Sequence, residues 1–175
     1  MDWTGLVFDL LDMRSFSNLW YWIALAVTWS SASHWVLGVP WDMALRARRV
    51  GGEAEEDFEA IVRVNVNRLL TMADLAGAPI LAFATFALTS LAILGFWYRV
   101  EFSQAVFLIA FPLAIVGALS LRTARRIRQS GDRGEALRTR LGRHRMAVQA
   151  LGMVSIFVTA FWGMLQNFNV SILVP

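Results

Sequence analysis

The chain contains no cysteine and no lysine. Without cysteine there are no disulfides, no thiolate metal sites and no thiol nucleophile. Without lysine, all 16 basic residues are arginine. Arginine stays ionised and pairs bidentately with phosphate and carboxylate. Two explanations fit this bias: arginine-rich codon usage in a GC-rich genome, or selection for binding lipid phosphate. The sequence also lacks a glycine-rich phosphate loop, an HExxH helix and a nucleophile elbow, so it offers no enzyme signature. The first 16 residues contain Asp2, Asp9 and Asp12, whereas a signal peptide opens with positive charge.

What the chain has in excess is apolar length. Of its 175 residues, 57% are hydrophobic, against about 45–50% in an ordinary soluble domain. Four stretches hold no Asp, Glu, Lys or Arg: Leu19 to Val39, Leu75 to Tyr98, Phe102 to Leu121, and Met146 to Pro175. Each is long enough for the roughly 20 apolar residues a membrane-crossing helix needs. The expectation is an all-α integral membrane protein of one membrane domain. Four transmembrane helices are predicted over 19–38, 75–98, 102–121 and 146–168. Trp20, Tyr21 and Trp22 at one end of the first span, and Trp35 and Trp41 at the other, suit the two headgroup levels.

The remaining segments have their own patterns. Residues 1–17 place Trp3, Leu6, Val7, Leu10 and Leu11 at helical spacing, predicting an interfacial amphipathic helix. Residues 40–73 form a polar segment with two helices broken at Val50-Gly51-Gly52. In the second, Phe58, Ile61, Val62, Leu69 and Met72 define an apolar stripe, and Asp74 to Pro79 offers a kink rather than a stop. Residues 122–145 form an Arg-rich hairpin that turns at Ser130-Gly131-Asp132-Arg133-Gly134. Arg99-Val100-Glu101 is a short turn that makes the second and third spans antiparallel neighbours.

Three groups of polar residues are candidates for function. His34 is the only histidine in a span, one turn after Ser30 and next to Ser31, and intramembrane ionisable groups mark ion or cofactor paths. A haem would need a second intramembrane ligand, and His144 lies in the Arg-rich hairpin, so hydrogen bonding to a neighbouring helix, proton or quinone contact and pigment ligation stay as alternatives for His34. Arg122, Arg125, Arg126, Arg128, Arg138, Arg140, Arg143 and Arg145 form a juxtamembrane cluster. Such clusters attract anionic lipid by about 1 kcal/mol per residue, although topology determination alone also explains them. Asn65 interrupts the apolar stripe of its helix, and Ser155, Thr159 and Gly163 leave a groove of small residues on the last span. Ala110, Ala114 and Ala118 do the same on the third. These suit helix association, within the chain or with a partner.

The runs Met13-Arg14-Ser15-Phe16-Ser17-Asn18-Leu19-Trp20-Tyr21-Trp22 and Gly152-Met153-Val154-Ser155-Ile156-Phe157-Val158-Thr159 resemble a group of small bacterial four-helix inner-membrane proteins. Some of these carry the label of a component of the Suf iron–sulfur assembly complex. The resemblance extends over most of the chain and implies a membrane family. It transfers no functional residues, and the chain has neither a cysteine for sulfur transfer nor a nucleotide-binding loop.

The expected function is a non-enzymatic accessory or scaffold protein with no cofactor. It would associate with a larger membrane complex, with itself, or with anionic lipid, and not with nucleic acid. The alternatives are a homo-oligomeric channel or transporter lined by Ser30, Ser31 and His34, and a cofactor- or quinone-binding electron-transfer subunit. Fourteen of the 16 arginines fall in the two polar segments, leaving Arg14 and Arg99. Basic loops stay in the cytoplasm, so both hairpins should be cytoplasmic and both termini periplasmic. Reporter fusions inserted at Ser130 to Gly134 should therefore give a cytoplasmic signal; a periplasmic one would reverse the topology.

Overall fold

The computed structural model describes Phe16 and residues 18–173, with side-chain surroundings for Phe16 and residues 18–166. The predicted interfacial helix over 1–17 lies, apart from Phe16, outside the described residues. What is described is almost wholly helical: α1 (Leu19–His34), a hairpin of β1 (Trp35–Val36) and β2 (Val39–Pro40), α2 (Trp41–Val50), α3 (Glu53–Ala92), α4 (Glu101–Ser130) and α5 (Gly134–Leu173). A π-helical turn, Ile93–Trp97, closes α3. Three helices, Glu53–Trp97, Glu101–Ser130 and Gly134–Gln166, are long and apolar enough to cross a membrane.

Helix α1 corrects one expectation. It has 16 residues, about 24 Å of helix, and stops at His34 instead of running to residue 38. Asn18 caps its start, accepting from Trp20 N–H at 3.0 Å. At the far end Leu37 and Gly38 take positive φ, 52° and 75°, the signature of a tight two-residue hairpin. Leucine pays about 1–2 kcal/mol there. Val36 and Val39 flank it, pair with each other and are buried, which holds the turn in place.

The hairpin rests on the main core. Phe58, Val62, Val66 and Leu70 recur every four residues along α3. They meet Ala44 and Ala47 from α2, Ala124 and Ile127 from α4, and Leu137 and Leu141 from α5. Of the stripe read off the sequence, Phe58 and Val62 are buried and Ile61 and Leu69 pack against the core; Val66 and Leu70 join it, and Met72 is 50% exposed. At this end Glu55 pairs with Arg138, and Glu59 accepts from the first N–H of α5, at Gly134, at 2.6 Å. A carboxylate there satisfies an orphan donor and meets the positive end of the helix dipole.

From that core α3, α4 and α5 extend in alternating directions, and α3 passes through Pro79 without a break. Along the way α1 runs antiparallel to α5 and docks by two aromatic knobs in glycine notches. A Cβ added to Gly152 would lie 2.8 Å from the Trp29 ring, and one added to Gly163 would lie 3.3 Å from Phe16. The Trp29 indole N–H is buried with no hydrogen-bond partner, so surface fit against Gly152 holds the ring. Gly152→Ala should force the ring away and lower stability by about 1–3 kcal/mol, the usual cost of overfilling a tight contact. Thermal unfolding of the detergent-solubilised protein should show the drop. An unchanged midpoint would mean that the notch does not hold α1.

Candidate functional site

The eight arginines of the predicted cluster do not act as one group. Three are spent on holding helices. Arg138 pairs with Glu55 on α3, and Arg140 pairs through Nε with Asp132 in the α4–α5 turn. That hydrogen bond holds the Asp132 carboxyl below the usual carboxylate range. Arg145 donates from Nε to the Ser33 carbonyl at 3.2 Å and lies 4.9 Å over the Trp41 ring. It thereby caps an orphan carbonyl at the C-terminal end of α1 while stacking on the first residue of α2. The other five, Arg122, Arg125, Arg126, Arg128 and Arg143, are exposed and make no ion pair among the described residues.

Of these five, Arg122, Arg126 and Arg143 line one groove between α4 and α5, of about 300 Å³, together with Arg140, Thr123 and His144. Arg125 and Arg128 point elsewhere. His144 is the floor of the groove and is buried, with 7% exposure. Its Nε2 lies 3.3 Å from Ser120 Oγ and its Nδ1 3.2 Å from Thr123 Oγ1. A hydroxyl both donates and accepts, so the two partners satisfy the ring in either neutral tautomer. His144 reads from sequence as one more residue of a polar stretch; only the facing helix shows that it is an interior hydrogen-bonding residue.

The other candidates occupy different places. Ser30, Ser31 and His34 are all exposed on α1, and the His34 ring meets only the edge of Trp35, at 5.9 Å. Ser30 lines an open, mostly apolar cavity between α1 and α5 with Ser33 and Gln149, whereas Ser31 and His34 are not part of its lining. Asn65 donates to the Gly38 carbonyl at 3.3 Å, so its amide secures the hairpin turn and not another helix. On α5 the small residues are filled from within. Ser155 and Thr159 are buried, at 5% and 0% exposure, and Gly163 receives Phe16. On α4, Ala114 and Ala118 face outward. No group of three His, Asp or Glu able to hold a metal occurs among the described residues.

Two polar arrangements at the apolar level escaped the sequence reading. Pro112 lies inside α4. Lacking an N–H, it leaves the carbonyl four residues before it without a helical donor. That carbonyl, at Leu108, accepts from Ser155 Oγ at 3.4 Å, the kind of side-chain repair a membrane helix needs. Nearer the other end, Gln104 is buried. It donates to the Gly95 carbonyl at 2.8 Å and accepts from Trp162 Nε1 and Gln166 Nε2, both at 3.0 Å. One amide therefore ties the π-helical turn, α4 and α5. Gly95 permits this, because a Cβ there would lie 3.0 Å from the Gln104 backbone nitrogen. Beside it Glu101 accepts from Phe16 N–H at 2.9 Å, and Tyr21 donates to the Ala105 carbonyl at 3.2 Å. A glutamine among apolar neighbours, with tryptophan and glutamine four residues apart on another span, was the available signal.

Comparison with family models, with curated proteins and with solved structures found no match to this chain. The arrangement itself is the guide to function. Among the described residues most polar side chains inside the bundle join helices, and the arginine groove is an open, strongly basic cavity between α4 and α5. A second open polar cavity, lined by Arg48, Glu135, Arg138 and Thr139, lies between α2 and α5. Gln104→Leu should orphan a carbonyl and two donors together. At about 0.6–2 kcal/mol for a hydrogen bond between membrane helices, it should lower the unfolding midpoint in detergent more than Asn65→Leu, which removes one bond at a partly exposed turn. The reverse order would refute Gln104 as the main polar tie.

Proposed function

We propose that the protein is a non-enzymatic accessory or scaffold protein of the bacterial inner membrane. In this reading it crosses the membrane four times, with both termini periplasmic and the arginine-rich ends of its helices cytoplasmic. The fourth crossing is α1. Although short, it lies along α5 from the Phe16–Gly163 contact to the Ser33–Arg145 contact, a stretch of α5 about 27 Å long, close to the roughly 30 Å of hydrocarbon. Both Arg-rich segments lie at one end of the bundle, since the cores of 53–70, 124–127 and 137–141 meet there. That supports one cytoplasmic face by the positive-inside rule.

The observation that carries the scaffold reading is the apolar half of α3. Between Leu70 and Gly95 no residue is buried. Leu75, Leu81, Phe83 and Phe86 are 82%, 68%, 73% and 72% exposed. A span whose large side chains point away from its own bundle presents a broad apolar face to lipid or to another protein. The channel alternative draws on the outward position of Ser30, Ser31 and His34, which could line a path only between copies; ion flux into proteoliposomes tests it.

For the scaffold reading, the protein extracted into native-membrane nanodiscs should run with a second copy or with specific partner subunits in native mass spectra. Phe83→Ala with Phe86→Ala should release the monomer with an unchanged thermal midpoint, since neither ring supports the fold. A wild-type protein that is monomeric and unaccompanied under those conditions would overturn the reading.

A further inference from the structure

The arginine groove does not end at its charged rim. Seven residues are nearly two helical turns, so positions seven apart stay on one side of a helix. On α4 the series Leu108, Ile115, Arg122 and the series Pro112, Leu119, Arg126 both run out of the charged groove. On α5 Arg140, Ala147, Val154 and His144, Leu151, Val158 do the same. The members beyond Leu119 and Ala147 line a second, apolar groove of about 180 Å³ between the same two helices. The charged groove, with Leu119 and Ala147 at its inner edge, thus continues into an apolar one on the same side of the α4–α5 pair. From Arg126 to Leu108 the two together cover about 27 Å.

We infer that this continuous groove is a binding site for one anionic phospholipid. The phosphate is held by Arg122, Arg126 and Arg143, and an acyl chain lies over Ile115, Pro112, Leu151 and Val154. Three features choose the occupant. The cations are those that the fold leaves unpaired among the described residues: Arg140 is committed to Asp132, and Arg138 and Arg145 are tied to Glu55, Ser33 and Trp41. The guanidinium fork suits a phosphate oxygen pair. A soluble phosphate has no use for an adjoining apolar groove, and an apolar ligand has no use for three unpaired arginines. Thr123 Oγ1, positioned by His144 at 3.2 Å, adds a hydroxyl at the groove floor. The inference rests on the proposed membrane orientation of this end of the bundle but assigns the lipid to a single site, not to the surface charge as a whole.

The test uses the full chain in neutral detergent, titrated with phosphatidylglycerol or phosphatidylcholine and read by native mass spectrometry. Wild type should retain one phosphatidylglycerol in preference to phosphatidylcholine. Arg122→Gln with Arg126→Gln should weaken that binding about thirty-fold, from the attraction of two juxtamembrane arginines. Arg125→Gln with Arg128→Gln removes the same charge outside the groove and should change it less than about three-fold. Val154→Trp, which fills the apolar groove from an exposed position, should also displace the lipid, with its thermal midpoint reporting that the fold is intact. Inorganic phosphate in millimolar amounts should not compete.

Equal losses from the two arginine pairs would overturn the site while leaving lipid association and the scaffold reading standing. Displacement by phosphate, with no effect of Val154→Trp, would replace the lipid site by a soluble-anion site and overturn the inference. No preference for phosphatidylglycerol in wild type would also overturn it. If, in addition, fusions at Ser130 to Gly134 reported the periplasm, the membrane orientation itself would fall.

Discussion

The contact on which the remaining structure depends is the stack of Phe58, Val62, Val66 and Leu70 on α3 against Ala124, Ile127, Leu137 and Leu141. In the proposed orientation this stack lies where water reaches the protein, so burial there is driven by the hydrophobic effect, about 1.5–3 kcal/mol for each large side chain removed from water. It sets the relative heights of α3, α4 and α5. The Glu59 bond to the first N–H of α5, the pairing of Glu55 with Arg138, and the hairpin seated by Val36 and Val39 all require those heights. The strained Leu37 turn is tolerated because its two neighbours are buried in the stack and its glycine carbonyl is held by Asn65.

Away from that end, in the proposed membrane orientation, the driving force changes. Lipid chains are as apolar as leucine, so helices in a membrane gain little by hiding apolar surface from one another. Association must come from close fit and from polar groups with nowhere else to go. Both appear in the apolar half. Trp29 and Phe16 fit glycine notches on α5. Gln104 and Ser155 are bound to partners on neighbouring elements. The Ser155 bond is a consequence of Pro112: a residue that cannot complete the helix creates the acceptor that a second helix then satisfies. Between Leu70 and Gly95 helix α3 has no fully buried residue and meets the bundle only through half-buried positions such as Ala84 and Leu88.

The features legible in the sequence were those with long periods or strong composition. The length of α3, α4 and α5, the break at Gly51-Gly52, the turn at 131–133 and the gathering of arginines at one end all follow from apolar runs, glycines and charge. Features decided by a few atoms of fit were not legible. Leu37 carries no mark of positive φ in the sequence, so the apolar run to residue 38 does not reveal that α1 ends at His34. The α3 stripe of Phe58, Ile61, Val62, Leu69 and Met72 is right in its first part and drifts at its end, because apolar residues at 61, 62, 64, 66, 69, 70 and 72 support more than one register. Asn65 looked like the centre of an interface, and in the register that forms it sits at the edge, within reach of a turn. Ser155, Thr159 and Gly163 looked like an open groove because the aromatic that fills it, Phe16, is far away in sequence.

The arginine cluster shows how a compositional signal is divided by geometry. Nine arginines within 122–145 look interchangeable, yet the acids that meet them are few and fixed: Glu55 from α3 and Asp132 in the turn. These neutralise the outer part of the hairpin. Further along α4 and α5, the unpaired Arg122, Arg126 and Arg143 line the charged groove where it gives way to apolar side chains. Arg145 marks the boundary on the opposite side and makes the strongest case for arginine over lysine in this fold. A flat guanidinium can lie over Trp41 while Nε reaches the Ser33 carbonyl, two contacts in different directions that a compact ammonium cannot reproduce at once. The absence of lysine thus has a structural use at one position at least, whatever codon usage contributes to the rest.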